Sequence, residues 1–396
     1  MIHSGSLNEK EGIPRPVWYI GLTSLFADIS SEMVFGILPA FMATVLGLSM
    51  VSIGSIEGAA AATTSLLMVA SGWFSDKVGR RKPIAIIGYV LSALSKPFFS
   101  LATNFAGVFT VRVFDRVGKG TRTAPKDALI ADFARPTNLG RVYGLTRSMD
   151  TVGAIVGPIV ALSLTLILAP ATYYHTVFVL SLVPGLVAIL PLGLGVRESR
   201  RQGEHSVRNK VQTTKLTARF KLYAVVVMLF SIGNLSYAFF LLRAVSLGVP
   251  PTFTVGLYLV FNITYAAAAY PFGLLGDRYS KRWMIVSGYL AFGLMAVGFA
   301  LASSSTLMIP LFLAYGITYA MVDTLQRAVV PELVSTEIRG TAFGVLHTAI
   351  GIAALPAGLI AGGLWQFLGA SSPFIMSAVL SFVSGSLLAG LLTRDA

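Results

Sequence analysis

The chain predicts an all-α membrane protein: twelve transmembrane helices in two pseudo-symmetric six-helix bundles. Composition is the first of three observations behind that reading. Of 396 residues, 55% are apolar and only 12% charged, about half the charge of a soluble domain, so lipid must cover most of the surface. The second observation is a series of twelve apolar runs of roughly 20 residues or more, the length that crosses a hydrocarbon core. The third is a polar segment that occurs twice, at corresponding places in the two halves of the chain.

The runs lie near 17–46, 50–74, 83–103, 105–125, 140–168, 173–195, 222–247, 251–275, 283–303, 306–328, 340–367 and 373–392. Gly and Pro interrupt several of them, which spanning helices tolerate when neighbours pack closely. Links after the odd-numbered runs contain no Lys or Arg. The alternate links hold Lys77, Arg80, Arg81 and Lys82, then Arg135 and Arg141, then Arg278, Lys281 and Arg282. Basic residues stay on the cytoplasmic side, so both termini are expected in the cytoplasm.

The longest polar stretch, 197–221, is read as a cytoplasmic basic linker between an N-terminal bundle (1–196) and a C-terminal bundle (222–396). Two readings of it stand open: a solvated connection that obeys the same charge rule, or a grip on anionic lipid headgroups. Residues 1–16 are polar and the first apolar run is too long for a cleavable signal. The net charge of +13 follows from the placement of these links, so nucleic acid is not expected as a partner. With no cysteine there can be no disulfide, thiolate metal site or catalytic thiol. The four histidines (His3, His175, His205 and His347) are scattered without metal-ligand spacing, and neither metal nor cofactor is expected.

The repeated segment reads Gly72-Trp-Phe-Ser-Asp76-Lys77-Val-Gly79-Arg80-Arg81-Lys82 after the second run. After the eighth it reads Gly273-Leu-Leu-Gly-Asp277-Arg278-Tyr-Ser280-Lys281-Arg282. A further pair, Gly140-Arg141-Val-Tyr-Gly144 and Arg339-Gly340-Thr-Ala-Phe-Gly344, opens the fifth and eleventh runs at nearly the same offset, preceded by Asp132 and Glu332. Two independent matches at one offset argue for duplication. The repeated segment resembles the signature loop between helices 2 and 3 of the major facilitator superfamily, secondary transporters built from two parallel six-helix repeats. The resemblance covers essentially the whole chain. It implies that Asp76 faces the N-terminus of helix 11, where a carboxylate meets the positive end of a helix dipole, and that Arg80 pairs with an acid such as Asp132. Asp277 and Arg278 take the matching places in the second half. These contacts are expected to gate the cytoplasmic side.

Ionisable side chains at membrane depth are costly and therefore functional candidates. The first run carries Asp28 and Glu32, four apart and on one helical face. The fourth carries Arg112, Asp115 and Arg116, and together these five suggest a buried charge network. Glu57 in the second run and Lys96 in the third reach the same region, Lys96 being read as scaffold. The resemblance implies that helices 1 and 4 line a central cavity. Asp28 is then the first candidate for proton coupling and Glu32 the second, a carboxylate exchanging its proton between an arginine partner and water. Arg112 to Gly120 looks like a variant of the family's helix-4 motif, with Arg116 where the first glycine would stand, so whether Arg112 or Arg116 fills the motif role is open. Gly153, Gly157 and Pro158 resemble a packing motif of the family's antiporters: small residues four apart allow close helix approach, and the proline bends the helix.

In the second half, Asn234, Tyr237, Asn262 and Tyr265 supply neutral hydrogen-bonding groups and rings suited to a polar organic solute. Arg243 is expected at the outer mouth, either attracting an anion, gating, or snorkelling to the interface. Asp323 and Arg327, one turn apart, read as an inner-gate ion pair. The expected function is a monomeric, proton-coupled exporter (antiporter) of a small organic solute in a bacterial inner membrane. The alternative is an importer of an anionic or zwitterionic metabolite or a metal chelate. A sensor or an enzyme is a remote third reading, since no nucleophile–base pair, metal cluster or added soluble domain is legible.

Overall fold

The computed structural model describes residues 13–133, 139–198, 216–335 and 339–393. Within the described residues the chain runs through twelve membrane-length helical segments: α1 (Arg15–Val45), α2 (Met50–Val78), α3 (Lys82–Leu101), α4 (Phe105–Phe133), α5 (Leu139–Leu164), α6 (Thr172–Gly195), α7 (Ala218–Ser246), α8 (Thr254–Arg278), α9 (Lys281–Leu301), α10 (Met308–Leu333), α11 (Arg339–Leu368) and α12 (Ser372–Thr393). Among the described residues there is no strand. That is the outcome expected where lipid offers no hydrogen bonds and every backbone group must be satisfied within its own helix. Eleven segments are long and apolar enough to cross a membrane by composition alone. The exception is α4, whose eight charged residues would forbid a lipid-facing position.

The helix also runs eight residues past the apolar run that predicted it. Arg122, Lys126 and Asp127 lie within its length, with Pro125 inside the turn. Apolarity ends there, but the backbone need for internal hydrogen bonds does not.

Both bundles keep rings and aliphatic side chains on the outside. Leu194 is 86% exposed and Phe367 81%, values that suit a lipid-facing surface and no aqueous one. Within the first bundle α1 packs on α5, and α2 and α3 pack on α4; in the second, α8 packs on α10 and α9 on α12. The bundles meet along α2 with α11 and α5 with α8. At the α2–α11 seam the backbones nearly touch. Gly54 lies against the Gly358 carbonyl, and a Cβ at Gly58 would come within 2.8 Å of the Ala354 carbonyl.

These contacts all lie toward the face opposite the termini. There Gly36 meets Val255 and Tyr258, Thr254 donates to the Gly36 carbonyl at 3.2 Å, and the Met50 amide donates to Gln366 Oε1 at 3.2 Å. The signature loops, on the terminal face, each staple their own bundle. Gly79 ends α2 with φ +67, a left-handed turn that suits glycine. Lys281 and Arg282 pair with Glu332 at 3.4 Å. Among the described residues the two halves are therefore sealed at one face and parted at the other. Residues 199–215 of the expected basic linker, and Arg135, lie outside the described residues.

Two helices depart from regularity. α1 bends at Gly36 and finishes in a π-helical turn, Phe41–Val45. α7 is interrupted between Gly233 and Tyr237, where Asn234 leaves the helical region (ψ 86) and Ser236 caps the second piece. A broken spanning helix is tolerated where the opened backbone borders a cavity.

Candidate functional site: a charged cavity between the bundles

The parted face opens into a cavity with two lobes. The lobe nearer the termini measures about 680 Å³ and is walled by Asp28, Lys119, Arg122, Lys126, Asp150, Asn262, Tyr265 and Asp323, among others. The deeper lobe, about 550 Å³, is walled by Glu57, Arg112, Arg116, Asn234, Tyr237 and Tyr258. Exposure follows depth. The side chains of Arg147 and Arg327, toward the opening, are 69% and 46% exposed, while Arg112 and Glu57 at the sealed end are 1% and 5% exposed.

The deep end is a desolvated charge cluster. Arg112 Nη2 donates to Glu57 at 2.9 Å and to Tyr237 Oη at 3.0 Å. Asp115 lies 3.8 Å from Arg112 and 3.6 Å from Arg116, and accepts from Ser92 at 2.7 Å. Lys96 in turn donates to Ser92 at 3.3 Å. Both guanidinium groups lie over the Phe35 ring at 4.4 Å, a cation–π arrangement that lowers the cost of burying two like charges. The ion pairs Arg112–Glu57, Arg112–Asp115 and Arg116–Asp115 offset the cost of this burial, while Lys96 has only the Ser92 hydroxyl. Tyr237 and Ser236 belong to the second bundle, so the α7 break is where this cluster reaches across the seam; Ser236 donates to Glu57 at 3.3 Å. Asn234 Oδ1 has no partner among the described residues and borders the lobe.

Toward the opening the pairs are wetter, and those between α4 and its neighbours α1 and α5 are long. Asp28 lies 3.8 Å from Arg122, which stacks on Tyr89. Lys126 lies 3.7 Å from Asp150 and donates to Ser24 at 3.1 Å. On the other wall, Arg327 donates to Asp323 at 2.6 Å, and Tyr265 donates to the same carboxylate at 2.9 Å. Glu32 is held across the seam by the Tyr258 hydroxyl at 2.6 Å.

The structure rearranges several sequence expectations. The arginine beside Asp28 is Arg122, while Arg112 is taken by Glu57. Asp115 is 1% exposed and stands behind the two arginines without bordering either lobe. Arg243 borders no part of the cavity. It donates to the carbonyls of Phe299, Ala300 and Ala302 and to Ser371, fastening α7 to the end of α9 and to the link before α12. The partner of Asp132 is Arg81, at 2.6 Å, and Arg81 also reaches Asp76 at 2.9 Å, so Arg80 does not take that place. Partial burial opposes the Arg81 charge, but hydrogen bonds to Asp132 and Asp76 outweigh it and hold its pKa above the ordinary value. Asp76 is 66% exposed. Arg278 stacks on Tyr279 at 5.8 Å, and the Asp277 side chain lies outside the described residues. Asn262 donates to the Ala154 carbonyl of α5 at 3.1 Å.

Gly153 and Gly157 sit directly under the α1 acids. A Cβ at Gly153 would stand 2.6 Å from the Leu25 carbonyl and 2.9 Å from Asp28 Cβ; one at Gly157 would stand 2.7 Å from the Ile29 carbonyl and 3.0 Å from Glu32 Cβ. Sequence reasoning missed Lys119, Arg122, Lys126, Arg147, Asp150, Tyr258 and Tyr319. A signal was present for three of them: Arg112, Arg116, Lys119, Arg122 and Lys126 recur at helical spacing and fall along one face of α4.

The family model of the Major Facilitator Superfamily matches residues 20–261 and again 222–396. MFS-type transporter MJ1317 of Methanocaldococcus jannaschii is 35% identical over 96% of both chains. Among solved structures, a POT family transporter in complex with 5-aminolevulinic acid superposes with TM-score 0.81 at 12% identity over 98% of each chain. The nucleoside transporter NupG gives 0.78 at 16% identity over 95% of this chain and 99% of its own. With twelve helices in two bundles, a cavity between them and a signature segment in each half, this chain belongs to the Major Facilitator Superfamily and is a multi-pass membrane transporter.

Proposed function

We propose that the protein is a proton-coupled secondary transporter that exports a small organic solute by antiport through alternating access. It would act as a monomer in the inner membrane, with both termini in the cytoplasm. The asymmetry of Lys and Arg between alternate links supports that orientation, and on it the cavity opens to the cytoplasm.

The observation that carries the coupling is Asp28: a carboxylate on a cavity-lining helix, 3.8 Å from Arg122, on the wall of the 680 Å³ lobe. In that position it can trade its arginine for a proton from cavity water. Protonated, it releases Arg122; deprotonated, it recaptures it. Glu32, one turn further in and bonded to Tyr258 of the other bundle, is the second proton site. Rocking of the bundles is supported by the glycine seams, which let backbones slide without interlocking side chains. In this reading Asp76, Arg81, Asp132, Asp277, Arg278, Asp323 and Arg327 gate the open face.

Five basic residues on one face of α4 favour a second reading, import of an anionic or zwitterionic solute by symport. One assay separates the two. Proteoliposomes loaded with pyranine are screened against organic anions, zwitterions and lipophilic cations under an imposed pH gradient. Proton entry coupled to solute exit marks antiport, and joint entry marks symport. Asp28→Asn is expected to abolish the solute-dependent proton flux, and an unchanged flux in that variant would remove the coupling assignment.

A further inference from the structure

The two lobes share five wall residues: Glu32, Lys119, Phe261, Tyr319 and Arg327. They mark the constriction where a solute would touch both bundles at once. Nearly every charge along the walls already has a partner of its own. Arg122 has Asp28, Lys126 has Asp150, Arg112 has Glu57, Arg327 has Asp323, and Glu32 has the Tyr258 hydroxyl. Lys119 is different. Among the described residues its ammonium makes no hydrogen bond and no ion pair within 4 Å, and the carboxylates of Asp28 and Glu32 act on it only from farther off, although it stands at mid-length of α4. A cation at membrane depth with no group in contact is expensive and leaves its ammonium open to a counter-ion from outside the chain.

The wall facing it is aromatic. Phe261 lies 5.7 Å from Tyr319 and 6.1 Å from Tyr265, and Tyr265 lies 5.8 Å from Tyr319. α8 and α10 thus present a shelf of rings opposite the basic stripe of α4. A ligand that satisfies both walls needs an anionic group and a planar ring.

We propose that this junction is the binding seat of the transported solute and that the solute is an aromatic organic acid. Its carboxylate or phosphate is gripped by Lys119 of the first bundle and Arg327 of the second, and its ring lies on Phe261 and Tyr319. The assignment rests on the cavity being the transport route. It gives the solute a task beyond occupancy, because one anion shared by two bundles draws them together on the open side. Lobes of 680 and 550 Å³ are ample for one or two fused rings.

Calorimetric titration of the detergent-purified full chain tests this, with 2-naphthoate, 2-naphthyl phosphate, 2-naphthylmethanol and cyclohexanecarboxylate as probes. At least one naphthyl anion is expected to bind, and to bind more tightly than the neutral alcohol or the ring-saturated acid. The preferred anion separates a carboxylate solute from a phosphorylated one. Lys119→Gln and Arg327→Gln should each weaken that binding by about tenfold or more, the loss expected for a charge-assisted hydrogen bond. Lys119→Arg should keep it, and Phe261→Leu should weaken the naphthyl anion while leaving cyclohexanecarboxylate unchanged. Thermal unfolding of each unliganded variant is the control for folding, and Lys119→Gln, which breaks no existing pair, should unfold no earlier than the wild type. Equal binding of the alcohol, no binding of either naphthyl anion, or unchanged affinity in a folded Lys119→Gln would each overturn the assignment. Titration needs no gradient, so a failed proton-coupling assay leaves this result standing, and the reverse also holds.

Discussion

Arg112 and Lys119 lie two helical turns apart on the same face of α4, yet their surroundings give them opposite consequences when lost. Arg112 is 1% exposed and is the guanidinium that balances Glu57. Arg112→Ala leaves a buried carboxylate without its counter-charge and should cost about 3–5 kcal/mol of stability, the range for breaking one side of a buried pair. Lys119→Gln removes a charge that makes no ion pair within 4 Å, so its unfolding temperature should stay at or above that of the wild type. Differential scanning fluorimetry of the two variants in one detergent checks the ordering. If Arg112→Ala unfolded no earlier than Lys119→Gln, the Glu57–Arg112 pair would not be holding the deep end of the cavity together.

At the scale of helices, the fit between α1 and α5 sets where Asp28 and Glu32 stand. Gly153 and Gly157 let α5 approach the α1 backbone beside Asp28 and Glu32. Gly153→Ala would place a methyl 2.6 Å from the Leu25 carbonyl, and backbone at that distance cannot yield as a side chain could. Overpacking of this kind typically costs about 1–3 kcal/mol. It should also shift Asp28 relative to Arg122, so transport is expected to fall more steeply than stability. Initial rates in proteoliposomes, normalised to folded protein by size-exclusion chromatography, measure the difference. Equal losses would mean that the glycines serve packing alone. The break in α7 is the complementary device in the second bundle. It frees Ser236 and Tyr237 to meet Glu57 and Arg112 across the seam, a contact that an unbroken helix would present differently.

For the whole molecule the testable features are sidedness and the sealed face. The chain has no cysteine, so introduced thiols report without background. Ser49 and Ser280 are exposed and lie on opposite faces. A membrane-impermeant maleimide added to intact cells should label Ser49→Cys and spare Ser280→Cys; the converse pattern would invert the topology. The Met50 amide bonds Gln366 across the bundles at the sealed face. A short bifunctional maleimide should therefore link Met50→Cys to Gln366→Cys and stop turnover, since the link holds that face shut. Full activity in the cross-linked protein would show that the face need not open during the cycle.

The sequence alone determined the helices, their number, their alternation across the bilayer and the duplicated halves. Each of these follows from local physics: lipid demands about 20 apolar residues per crossing and internal backbone hydrogen bonds. It also marked Asp28, Glu32, Glu57, Arg112 and Arg116 as costly, because a charge in an apolar run is visible without knowing its neighbours. Partnership was not legible. Nothing in residue order says that Asp28 meets Arg122 and not Arg112, that Arg81 rather than Arg80 reaches Asp132, or that Arg243 fastens α7 to the end of α9. Charge pairing depends on helix rotation and on contacts between segments far apart in the chain, over distances of a few ångströms. Those are decided when the bundles pack, which is why the tertiary structure alone showed Lys119 to stand without an ion pair in contact with it.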